Sequence, residues 1–238
     1  MLVAARDAIL ADGAALPYDK RVQYIESTNS AAYFYLNDAL PNLTETPSSF
    51  DSSWVDMWEV VLGVTQVNYT DKHLFGKSYS FGLAQFNGRW RPSYTQEWPT
   101  NQNIPLFSYN PVMFRAETGR MRVFTADGTT QIWEKTGNLF VRFGTDKSIW
   151  HGRLIVGVME GDSAIAPESK RATNRIYSFR RVLQNQPEFT LVPCVKDGVA
   201  GMYDEVSGTF CASTSGTPFI AGPDASAANR GGGISANA

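Results

Sequence analysis

The sequence predicts an all-β fold, a two-sheet antiparallel sandwich or jelly roll. Short runs of β-branched and aromatic residues alternate with clusters of Gly, Pro, Asn and Asp, and no long segment with a 3.6-residue apolar period follows residue 16. Aromatic residues make up 13% of the chain, which suits a packed β core. With 238 residues the chain fits one large sandwich, since such folds routinely pass 200 residues as a single unit. Residues 17–222 are therefore expected to form one domain.

Each element has its own reason. Residues 2–11 have helix-forming composition, with Leu2, Val3, Ile9 and Leu10 among alanines, and Asp12-Gly13 supplies a stop. So short a helix is marginal in water unless it docks, so residues 1–16 are expected to be an N-terminal arm, either frayed or packed on a neighbouring subunit. Val22 to Ile25 open the first strand. Trp54 to Val61 is a long apolar run that fits a strand buried on both faces. Met121, Val123 and Thr125 lead into Asp127-Gly128, a strong hairpin turn, and Gln131 to Glu134 returns. Leu139, Val141 and Phe143 alternate with Phe140 and Arg142, and Leu154, Val156 and Val158 with Ile155 and Gly157. Residues 174–222 read as a strand, a kink and two hairpins closed by glycine turns. Residues 223–238, PDASAANRGGGISANA, are small and polar and are expected to be a flexible tail.

Charge and composition exclude several functions. The net charge is −2, and Arg89, Arg91, Arg171, Arg175, Arg180 and Arg181 are scattered among aromatics and acids, so nucleic acid is not an expected partner. No segment approaches the roughly 20 apolar residues that span a bilayer, so membrane insertion is not expected. The first residues lack a basic start and an unbroken apolar stretch, because Arg6 and Asp7 interrupt it, and read as carrying no signal peptide. Cys194 and Cys211, the only cysteines, fall on neighbouring strands of one hairpin and suit either a disulfide or buried small apolar positions. His73 and His151 show no ligand spacing, so no transition metal or other cofactor is expected. Calcium is an alternative, with Glu160, Asp162 and Asp204 as its candidates; Asp204 equally suits bracing its own turn.

The two ends of the expected domain carry a resemblance. Residues 16–28, LPYDKRVQYIEST, and the closing order Arg175 to Phe179, Val192 to Cys194, Gly198 to Asp204 and Phe219 to Gly222 resemble the ends of laminin-G-like, concanavalin-A-like domains of gut bacteria and their bacteriophages. The resemblance implies an antiparallel jelly roll whose terminal strands pair and which serves recognition or adhesion without catalysis. The chain departs from the family after Thr28, where it reads Asn29-Ser30-Ala31-Ala32-Tyr33-Phe34-Tyr35-Leu36. Retaining glucanases of this fold carry a strand motif E-x-D-x-x-E. The nearest match, Trp54-Val55-Asp56-Met57-Trp58-Glu59, has Trp54 at the nucleophile's place, and an indole forms no glycosyl intermediate. In a regular strand Asp56 and Glu59 also point to opposite faces. No G-x-S-x-G elbow and no histidine followed by an orienting acid offers another catalytic set.

A binding site is the more natural reading. Segment 86–110, FNGRWRPSYTQEWPTNQNIPLFSYN, reads as irregular, aromatic and amide-rich. Trp90, Tyr94 and Trp98 suit stacking on sugar rings, while Asn101 and Asn103, with Asn87, Gln96 and Gln102, suit hydrogen bonds to hydroxyls. The same aromatics also suit a lid over the core or a protein interface. The expected function is a non-enzymatic, lectin-like recognition module on a bacteriophage virion surface, extracellular after release, contacting host or mucus glycans. Other virion proteins and further copies of the chain are expected neighbours. The alternatives are a purely structural virion component, such as a decoration or fibre subunit, and a glycoside hydrolase with displaced carboxylates.

Overall fold

The computed structural model describes residues 16–27, 31–66, 72–77, 81–94, 104–143, 155–157, 159–160 and 172–225. These residues form an all-β fold of mostly antiparallel sheets, with one helical turn, Leu36–Ala39. Apart from Leu16, the expected N-terminal arm lies outside the described residues, as does the tail beyond Ala225.

The main sheet runs β10 (Gln131–Thr136), β9 (Arg120–Thr125), β8 (Val112–Glu117), β4 (Asp56–Val64), β13 (Asn174–Leu183), β14 (Gln186–Lys196), β15 (Val199–Asp204), β16 (Phe210–Ala212). Three short strands join it, β1 (Lys20–Arg21), β2 (Ile25–Glu26) and β17 (Ile220–Ala221). A second sheet runs β12 (Met159–Glu160), β5 (Lys72–Lys77), β6 (Phe81–Phe86), β7 (Arg89–Tyr94), and β11 (Ile155–Val156) pairs β3 (Phe34–Tyr35). Among the described residues every strand pairing is antiparallel except β12 with β5. Pro92, which cannot donate to a ladder, lies on β7, an edge of the second sheet.

Strand β4 explains the layering. Its sequence, DMWEVVLGV, is buried at almost every position, as the apolar run predicts, because β8 and β13 flank it and both its faces are shielded. Trp58, Val60 and Leu62 face inward and join the core. The Trp58 ring lies 5.1 Å from Phe143, 5.8 Å from Phe189 and 6.0 Å from Phe81 of the second sheet. Phe81 also stacks on Phe114 of β8 at 4.9 Å, and Phe75 of β5 meets Phe179 of β13 edge-on at 5.0 Å. Such pairs contribute roughly 0.5–1.5 kcal/mol each beyond area burial, so the aromatic layer fixes one sheet on the other.

Strand β13 carries a bulge. Ile176 pairs Leu62 while Ser178 pairs Val61, so Tyr177 is the extra residue. Upstream of it Asn174 and Ile176 point inward; downstream Phe179 and Arg181 do.

The chain's two ends zip together. Ile220 pairs Glu26 and Ala221 pairs Ile25, and the Gln23 N–H donates to the Pro223 carbonyl at 2.9 Å. Pairing continues into the first residues of the expected tail, where Asp224 bridges Val22 and its carboxylate meets Lys20 at 2.7 Å.

One expectation is corrected and one pair of alternatives is decided. Leu139, Phe140, Val141 and Phe143 do not alternate along a strand: all four are buried, and the segment makes no ladder beyond a bridge at Phe143. No disulfide joins the two cysteines, which are free and buried. Cys194 pairs Gly201 while Cys211 pairs Met202, and adjacent strand residues point to opposite faces, so the thiols sit on opposite sides of the sheet. Leu154 and Val158, expected to alternate around Ile155, lie outside the described residues.

Candidate functional site

Carboxylates come first, because hydrolysis would need two of them converging on one point. Asp56 begins β4 on the core side. The fully buried Arg181 donates Nε–H to Asp56 Oδ1 at 2.9 Å and Nη2–H to Oδ2 at 2.7 Å, and Nη1–H to Glu188 at 2.6 Å. The Trp54 indole N–H donates to the same Asp56 carboxylate at 3.2 Å. Glu59, three residues on, faces the other way and accepts from Arg115 and Arg180, each at 2.7 Å. The opposite facing expected for this pair is therefore present, and both carboxylates are held by arginines.

Asp204 braces its own turn. Its carboxylate accepts from the backbone N–H groups of Thr190, Val206 and Ser207 and from the Ser207 hydroxyl at 2.6 Å. Those donors occupy the lone pairs a calcium ion would use. Among the described residues no three His, Cys, Asp or Glu side chains gather into a metal-binding group. Asp162 lies outside the described residues, as does His151. Both buried thiols are pushed up to about 12 by desolvation, which keeps them protonated and unreactive at neutral pH.

The loop expected to bind sugar is built differently from its sequence reading. Residues 89–94 are not irregular but form β7, entered from β6 through Asn87-Gly88, both at positive φ (52° and 68°) as a two-residue hairpin turn demands. Trp90 consequently points into the core. It is 0% exposed, and its indole N–H donates to the Tyr109 carbonyl at 2.5 Å. An indole so enclosed has no face to offer a sugar ring, which corrects that expectation. Tyr94 closes β7 opposite Phe81; Trp98, Asn101 and Asn103 lie outside the described residues.

What the hairpin does present to solvent is phenyl rings. Segment 104–109 runs alongside its tip: the Trp90 N–H donates to the Ile104 carbonyl, the Leu106 N–H to the Gly88 carbonyl, both at 2.9 Å, and Arg89 bridges Pro105. Phe86 and Phe107 flank that seam and are 41% and 79% exposed. The Arg91 guanidinium lies over the Phe86 ring, 5.5 Å from its centroid. Neither segment 81–94 nor 104–110 contains an acidic residue. The rim is thus apolar and basic, carried on hydrogen-bonded backbone. A ring of Phe107's exposure contributes nothing to the core and is free to meet a partner.

Phe86 and Phe107 were not singled out by sequence. The signal that locates them is Asn87-Gly88 itself, which sets the hairpin and leaves Phe86 at its tip. Comparison with family models, curated proteins and solved structures returned no significant match to this chain.

Proposed function

We propose that the chain is a non-enzymatic, lectin-like recognition module that meets glycans through the rim around the β6–β7 tip. The exposed phenyl pair carries this reading: Phe107 and Phe86 stand beside Arg89 and Arg91 on a fixed scaffold, the arrangement that stacks on the apolar face of a sugar and bonds its hydroxyls. The engagement of Asp56, Glu59 and Asp204 with arginines and backbone donors supports a binding rather than a hydrolytic role.

Display on a bacteriophage particle facing host or mucus glycans, and a jelly-roll winding of the strands, belong to the same proposal. Both rest on the resemblance of the two chain ends. The direct pairing of β2 with β17, which brings residues 25–26 and 220–221 side by side, supports it.

A glycan array tests the reading. The wild-type chain is expected to bind a subset of glycans, and Phe107→Ala to lose that binding while melting at the wild-type temperature, because an exposed ring adds nothing to core packing. An inert array together with stable oligomers in size-exclusion chromatography would instead favour the structural virion component.

A further inference from the structure

We infer that the outer face of the main sheet is a second site, one that binds an acidic polysaccharide through an arginine ladder. The register places Arg122 of β9, Arg115 of β8, Glu59 of β4 and Arg180 of β13 in a single row across four adjacent strands. One step along, Arg120 stands opposite Glu117. The four guanidiniums share two carboxylates. Glu59 lies between Arg115 and Arg180, and Glu117 accepts from Arg120 at 2.8 Å and Arg122 at 2.5 Å. Four cations against two anions leave the interlocked network with two positive charges, on a chain whose net charge is −2. Exposed Glu134, opposite Arg122 on the edge strand β10, bounds the patch on that side.

The unspent donors define what fits. Each guanidinium has five N–H groups, and those of Arg180 and Arg120, the two most exposed at 38% and 43%, are only partly used. Arg120 and Arg180 stand three strand spacings apart across the sheet and two residues apart along it, roughly 16 Å in all. That exceeds the span of one small anion but suits a linear polymer with acid groups repeated along it. Carboxylate is the anion this face already holds in side-on pairs, so two uronate carboxylates would complete the alternation that Glu59 and Glu117 begin. Nucleic acid fits worse, because the one aromatic ring in the ladder, Phe124, is buried beneath Arg115 and Arg122 and cannot stack on a base.

This site is independent of the phenyl rim, and one experiment separates them. The full chain is titrated against polygalacturonate at low salt, with dextran sulfate, neutral dextran and single-stranded DNA as comparison probes. Polygalacturonate is expected to bind, and the Arg120→Gln/Arg180→Gln variant to weaken binding about tenfold or more. Glu134→Gln is expected to tighten it, Phe107→Ala to leave it unchanged, and about 0.5 M NaCl to abolish it in the wild type. The inference is overturned by absent or salt-insensitive wild-type binding, by an unaffected double arginine variant, or by preference for dextran sulfate or DNA.

Discussion

Asp56 and Glu59 leave β4 on opposite faces, and arginine holds each of them, but the two settings do different work. On the inner face Arg181 is enclosed: it grips Asp56 with two nitrogens, reaches Glu188 and the Thr44 carbonyl with a third, and lies 4.4 Å over the Trp58 ring. Glu188 in turn accepts the Thr44 backbone N–H at 2.7 Å. The buried cluster therefore fastens the irregular connection around Thr44 to the sheet, where apolar side chains alone would not fix its position. On the outer face Glu59 shares its charge with two arginines that keep contact with water. A buried pair is worth little until one member is removed; then the survivor is stranded in a low dielectric. A half-solvated pair loses only what solvent cannot replace.

Mutation turns that contrast into numbers. Arg181→Ala is expected to destabilise the fold by about 3–5 kcal/mol, because Asp56 and Glu188 lose their common counter-ion in the core. Chemical denaturation measures it, and an effect no larger than that of Glu59→Ala would erase the distinction between the faces. Glu59→Ala is expected to cost about 1–2 kcal/mol, since Arg115 and Arg180 can turn towards water, and the loss should shrink in high salt. A salt-independent loss would mean that Glu59 belongs with the inner cluster.

The smallest effect at neutral pH concerns the two thiols, one on each face. With both pushed up to about 12, neither is expected to react with an aromatic disulfide reagent at pH 8 until the chain unfolds. The sign for stability follows from the raised values. The folded state holds these protons more tightly than the unfolded one, so stability is full below about pH 9 and declines as pH rises towards 12. Thermal melts of the wild type and of Cys194→Ala/Cys211→Ala between pH 8 and 11 check this. Rapid labelling of one cysteine in the folded protein would show that its face is open.

Class and the β4 run were legible because local chemistry decides them. Apolar density over Trp54 to Val61 is enough to require a strand shielded on both sides, although the ladder begins only at Asp56. Asp127-Gly128 announces the β9–β10 turn, where Asp127 accepts from Thr125 and Thr129 and is held below the usual carboxylate range by the first of these bonds. The sugar loop was misread for a different reason. Its polar and aromatic composition, with Pro92, masked a hairpin that Asn87-Gly88 signals, and burial of Trp90 depends on a carbonyl nineteen residues away. Nor does sequence say which of Arg180 and Arg181 enters the core. Both read as surface charge, and their partners come from strand β4, more than a hundred residues earlier.

The additional residue in β13 has a consequence for how this chain tolerates change in length. Excising Tyr177 would join Ile176 directly to Ser178, and because these already pair Leu62 and Val61, the ladder would run without a break and Phe179 and Arg181 would still face inward. The cost would be the Tyr24 ring contact that Tyr177 makes, 5.4 Å between centroids. A residue lost from the regular stretch Phe179 to Leu183 has no such slack and would turn the side chains beyond it to the opposite face. Shortening or lengthening the Gln184-Asn185 turn, by contrast, alters only a hairpin tip.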